Sequence, residues 1–182
     1  MTERAAEPSP RLKARIAGVF YLLTIVVSVL ALLAHGPLRS VMLLISSACY
    51  VAVTILFFSL FRPVNRNVSA LAAIFSLVGC TLSILDLFHL GSSTLNPLVF
   101  FGCYCLVIGY LIVRSTFLPR VLGVLMAFGG LGWLTFVSPV LSGYLLPYNM
   151  APGVIGESVL TLWLLTVGVN TQRWNERAGA VA

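Results

Sequence analysis

The chain is short of charge. Asp, Glu, Lys and Arg make up 9% of its 182 residues, against about 25% in soluble domains. Acids are scarcest, five in all, and Asp86 and Glu157 are the two between the terminal segments. There are two histidines, His35 and His89. No glycine loop for phosphates, no helical HExxH and no CxxC pair occurs, so those three chemistries have no motif here. The four cysteines, Cys49, Cys80, Cys103 and Cys105, all sit in apolar segments and read as small packing residues. A redox role for Cys103-x-Cys105 is the minor alternative. The net charge is +6, but the basic residues come in short runs between apolar stretches. They set membrane orientation and give no nucleic-acid signature.

What the chain has is hydrophobic length. Apolar residues are 59% and the mean hydropathy is +1.03. Six apolar runs, about 16–35, 38–61, 68–90, 97–113, 121–137 and 151–170, are each long enough to span a ~30 Å hydrocarbon core at about 1.5 Å per residue. The expected fold is all-α, a polytopic six-transmembrane-helix bundle occupying 11–170. Residues 1–10 are expected to be a disordered cytoplasmic tail, and 171–182 a second cytoplasmic tail. The first run is too long for a signal-peptide core and lacks its cleavage pattern, so it counts as a helix. The two three-helix halves do not match closely enough to make an inverted repeat.

Charge fixes the direction. Arg4, Arg11, Lys13, Arg15, Arg62, Arg66, Arg114, Arg120, Arg173 and Arg177 fall on one side and Arg39 alone on the other. Both termini are therefore expected in the cytoplasm. Small and polar residues form stripes that face the bundle. Ala17, Tyr21, Thr24, Ser28, Ala31 and His35 mark the first run, and Ser69, Ala72, Ala73, Ser76, Gly79, Cys80, Ser83 and Asp86 the third. Small residues at this spacing let helix backbones approach closely in lipid. The segment 138–150 is expected to be a long loop. Its apolar content would place it at the membrane interface or folded over the bundle. Trp133 reads as an interface anchor rather than a ligand platform.

The most site-like stretch is Leu82-Ser-Ile-Leu-Asp-Leu-Phe-His-Leu90. On a continuous helix Asp86 and His89 would share one face, and ionisable groups at such depth usually face protein or a wet cavity. With the threading above, His35, Arg39, Asp86, His89, Tyr104 and Glu157 all fall in the outer third of the membrane. The expectation is a polar cluster with Arg39 as the counter-ion. It could simply hold helices together, or form a pocket for a small molecule, ion or lipid. A third reading is a metal site on His35, Asp86, His89 and Glu157, since two His and two carboxylates suit a divalent ion.

Phe100-Phe-Gly102 and Gly109-Tyr-Leu-Ile-Val-Arg-Ser-Thr-Phe-Leu-Pro-Arg-Val-Leu-Gly123 resemble a bacterial membrane family known as domain of unknown function 4386. Arg15-Ile-Ala-Gly18, Arg62-Pro-Val-Asn65, Gly156-Glu157 and Gly168-Val-Asn170 look like its other landmarks, so the resemblance covers about 11–170. It implies a six-helix protein of the bacterial inner membrane, puts weight on Glu157 and implies no activity. Members of that family often have His where this chain has Tyr104, a departure that weakens a metal site. The leading expectation is an integral membrane protein, surrounded by the lipid bilayer, that binds or conducts a small molecule, ion or lipid through an outer-leaflet pocket. The alternatives are a membrane-embedded metal-dependent enzyme and an accessory or structural subunit.

Overall fold

A computed structural model describes residues 9–90 and 95–180. Among them there are helices and turns and no strand. Helix α1 is Pro10–Leu33, α2 Gly36–Phe61, α3 Arg66–Leu87, α4 Pro97–Arg114 and α5 Arg120–Leu134. A short α6, Pro139–Leu145, sits between two 3-10 turns, and α7, Ala151–Thr166, and α8, Thr171–Gly179, close the chain. The helix α1, α2, α3, α4 and the segment Arg120–Val137 are long and apolar enough to cross a membrane. Tyr148–Thr166 together with α8 would add a sixth span, but the pair is bent by 97°.

Caps set the helix ends. Ser9 accepts from the Leu12 amide at 3.2 Å with Pro10 in the first turn, so α1 begins before the expected residue 16. Asn65, Asn96 and Asn170 cap α3, α4 and α8 in the same way, each side chain satisfying an orphan amide of the first turn. The sixth apolar run does not stay helical to 170. Gly168 has φ +75° and its amide reaches back to Trp163 O at 2.9 Å, a left-handed helix stop that glycine adopts without strain. The expected final tail is instead the helix α8.

Each main helix packs on its sequence neighbours, and α7 packs on α1, so α1, α2, α3, α4, α5 and α7 form a closed ring. Most of each stripe points inward, but His35 and Asp86 at the stripe ends are exposed. Ala17, Tyr21, Thr24 and Ala31 are buried on α1, and Ser69, Ala72, Ser76, Gly79 and Cys80 on α3. The α4–α5 contact is the tightest. A Cβ on Gly123 would meet Gly109 O at 2.5 Å, and one on Gly130 would meet Gly102 O at 2.7 Å. Backbone meets backbone here, which only glycine permits.

Inside the ring lies a column of aromatic rings. Phe101 meets Tyr50 at 5.0 Å between centroids, and Tyr50 meets Tyr104 at 5.7 Å and Tyr21 at 5.6 Å. The contacts continue from Tyr21 through Phe57 and Phe61 to Phe117, with spacings of 5.7–6.0 Å. Most pairs are edge-to-face, the arrangement favoured by the ring quadrupoles. The column fills the interior from mid-bundle to the end that carries the basic turns.

The segment 138–150 is not the expected loop. Ser138 caps α6 by accepting from the Leu141 amide. That helix packs chiefly against its flanking turns and leaves Val140 69% and Tyr144 84% exposed. It runs along the rim of the ring.

Candidate functional site

Glycine builds the site. On α5, an added Cβ at Gly129 would strike Pro152 and Gly153 on α7, and one at Gly132 would strike Asn149 in the 3-10 turn just before it. On α7, a Cβ at Gly156 would meet Leu125 O at 2.7 Å, and one at Gly153 would overlap the Trp133 indole. The two helices therefore lie close enough for Trp133 to cross the face of α7 at Gly153. One turn on, its indole Nε1 donates to Glu157 Oε1 at 3.1 Å. The Cys105 thiol, buried on α4, donates to the same oxygen at 3.6 Å. Three helices thus converge on one carboxylate.

Glu157 and Trp133 line a cavity of about 430 Å³, a size typical of small-molecule sites. Its other walls come from α1, α2, α3 and α4. Most of them are apolar, including Ile25, Leu43, Ile84 and Phe101. Hydroxyls dot the surface at Thr24, Ser28, Ser46, Ser47, Ser83 and Ser158. Among the described residues no Lys, Arg or His lines it. Leu32, Leu87, Leu98 and Met150 stand at the helix ends away from the basic turns, so the cavity lies in that half. Tyr50 and Phe101 form its floor and are also the top of the aromatic column.

The floor carries unmet polar groups. The hydroxyls of Tyr21, Tyr50 and Tyr104 and of Thr161 are buried and make no hydrogen bond among the described residues. The three tyrosines lie within electrostatic reach of Glu157, and Thr161 is one turn further along α7. Buried polar atoms are satisfied in the large majority of cases, and clusters of exceptions mark a ligand, water or function.

The profile of the family described as "Domain of unknown function (DUF4386)" matches this chain over residues 37–96 and 92–168. The chain belongs to the DUF4386 family. An uncharacterized protein of Archaeoglobus fulgidus is 28% identical over 126 residues, covering 65% of this chain and 76% of the relative. No solved structure matches.

The turn that carries the resemblance to DUF4386 most specifically, Arg114 to Arg120, lies away from the cavity. Ser115 is buried and donates to Ile112 O at 2.7 Å, and Phe117 and Leu118 are buried. Thr116 O accepts from Arg173 on α8 at 3.1 Å. In this DUF4386 protein that turn is a structural latch.

The six residues expected to form a cluster separate into two groups. Glu157 and Tyr104 face the interior together. His35, Arg39, Asp86 and His89 are exposed, and no ion pair joins Arg39 to either acid among the described residues. The reason is local. Helix α3 stops at Leu87, and His89 has φ +56°. Leu90 N reaches Leu85 O at 2.9 Å and His89 N reaches Asp86 O at 3.1 Å, the two bonds of a Schellman stop. Asp86 and His89 therefore do not share a helix face, because the helix ends between them. Nor does Arg39 act as counter-ion to Glu157, whose carboxylate is held by Trp133 and Cys105. Among the described residues no three His, Cys, Asp or Glu side chains form a metal-binding group, so the set His35, Asp86, His89 and Glu157 is not assembled. Trp133 is 8% exposed and holds the carboxylate, so the anchor reading is corrected too. Gly129, Gly130 and Gly132 just before it in sequence, with Gly153 one turn before Glu157, were the signal for this contact.

Proposed function

We propose that this is a six-span integral membrane protein of the bacterial inner membrane, with both termini cytoplasmic, that binds a small molecule in a one-ended pocket of the outer leaflet. The observation that carries this reading is the cavity itself, apolar, lined by a carboxylate and floored by aromatic rings. Binding is favoured over conduction because the column from Tyr50 to Phe117 fills the path beyond the floor. Ten basic residues against one support the orientation. The 97° bend at Gly168 supports α7 as the sixth span with α8 lying flat at the cytoplasmic surface, Arg173 and Arg177 beside headgroups.

Cysteine labelling in native membranes tests both parts of the proposal, once the four native cysteines are replaced. An impermeant thiol reagent added outside is expected to modify Tyr144→Cys on the rim and Ser83→Cys in the cavity wall. It is expected to spare Arg177→Cys on α8 and Ser76→Cys in the packed layer. Labelling of Arg177→Cys but not Tyr144→Cys would reverse the threading. Protection of Ser83→Cys from both sides would remove the open pocket.

A further inference from the structure

We propose that the cavity selects an amphiphile with a primary ammonium headgroup, its nitrogen seated against Glu157 and its alkyl chain along the apolar wall. This rests on the pocket reading above and adds the class of ligand.

The first ground is an uncompensated acid. Trp133 and Cys105 both donate to Glu157 Oε1, and the further polar neighbour of the carboxylate is the neutral Tyr21 hydroxyl. Trp133 and Cys105 are neutral donors, and among the described residues no basic side chain lines the cavity. A carboxylate taken out of water calls for a cation or a proton. A cationic ligand supplies the missing charge, whereas an anionic one would add like charge.

The second ground is the count of donors. Tyr50 lines the cavity, and its buried hydroxyl makes no close hydrogen bond among the described residues, its polar neighbour being the Tyr21 hydroxyl. The hydroxyls of Tyr21 and Tyr104 lie behind it in the same state. A primary ammonium has three N–H donors. One can meet the Glu157 carboxylate, another the Tyr50 hydroxyl, and the third a wall hydroxyl such as that of Thr24. A quaternary ammonium carries the charge with no donor and would leave Tyr50 unmet. The rings of Trp133, Tyr50 and Phe101 around the headgroup add cation–π attraction. The third ground is the wall. Ile25, Leu43 and Ile84 present hydrocarbon to a chain, and no second charge is there to pair with a divalent or zwitterionic head.

Native mass spectrometry of the full chain in a non-ionic detergent tests this with three probes: octylamine, octyltrimethylammonium and octan-1-ol. Wild-type protein is expected to bind octylamine on the order of tenfold more tightly than either other probe. Glu157→Gln is expected to lose that preference and keep octan-1-ol within about twofold. Ser47→Trp, which fills the cavity away from Glu157, should lose all three. Equal affinity of the wild type for octylamine and octan-1-ol overturns the cation proposal, whether or not Glu157→Gln folds, and leaves the pocket standing. Undiminished octylamine binding by Ser47→Trp places the ligand outside the cavity and overturns the proposal. Binding of none of the probes by the wild type removes both the ligand class and the pocket.

Discussion

The two ends of the bundle are built on different principles. At the basic end the helices are tied to one another. Trp174 Nε1 on α8 donates to Leu60 O at 2.9 Å, Arg173 donates to Thr116 O at 3.1 Å, and Asn170 N donates to Phe117 O at 3.1 Å. Beneath these bonds Phe61, Phe117, Leu118 and Val169 are buried. At the other end the helices splay around the cavity. Leu32, Leu33 and Leu90 there are exposed, and the side-chain ties lie inside the ring, Ser28 to Ser46 at 2.7 Å between α1 and α2 and Trp133 to Glu157 at 3.1 Å between α5 and α7. One end is tied across the helix ends, and the other is tied within the ring around the cavity. That division matters in a bilayer, where apolar burial gives little drive for helices to close up. The latched end therefore adds to the glycine contacts of α5 with α4 and α7 in holding the ring closed.

The largest effect is expected from attacking the close-packed side. Gly123→Leu puts a side chain where the backbone of Gly109 and the Val113 side chain already stand, at 2.5 and 2.7 Å from the added Cβ. The loss should reach or exceed the ~1–3 kcal/mol usual for overpacking. The control is Gly143→Leu on α6, where an added Cβ meets nothing within 4 Å and the cost should be within about 0.5 kcal/mol. Thermal unfolding in detergent reads both. Similar losses at the two sites would mean that the two ends do not differ in packing as described.

A smaller effect is expected at the latch. Trp174→Phe keeps a ring at the same place but removes the donor to Leu60 O. The expected loss is about 1 kcal/mol, with octylamine binding at the far end unchanged within about twofold. A change in ligand binding larger than the change in stability would show that the latch and the cavity are coupled, and the division between the ends would have to be redrawn.

The residues explain which parts of this were legible in sequence. Helix positions and inward stripes could be read because lipid imposes length and small-residue spacing on every span. Glu157 and Tyr104 could be singled out as rare polar residues within apolar runs, and both face the interior of the ring. Trp133 was misread because position near a helix end is shared by anchors and by pocket residues. Only the glycines of α5 and α7, taken together, distinguish the two. The Asp86–His89 pair was misread because a helix stop normally announces itself with glycine, and here a histidine takes the left-handed position with Gly91 two residues on. Gly168 gave the ordinary signal at the end of α7, followed by the Asn170 cap, but the hydrophobic run around it masked both.

His89 gives the smallest and most direct test of that correction. Its backbone lies in the left-handed region, which costs a residue with a Cβ about 1–2 kcal/mol. Glycine would remove this strain while raising the entropy of the unfolded chain, an offset of about 0.4–1 kcal/mol. His89→Gly is therefore expected to leave stability equal or raise it by up to about 1 kcal/mol. Its side chain is exposed, so no packing is lost. A His89 that worked as a ligand beside Asp86 would behave in the opposite way, since its removal would abolish binding whatever it did to the backbone. Unfolding and octylamine binding measured on the same variant separate the two roles. Raised or equal stability with unchanged binding fits the Schellman stop, and loss of binding at full stability would restore His89 to the site.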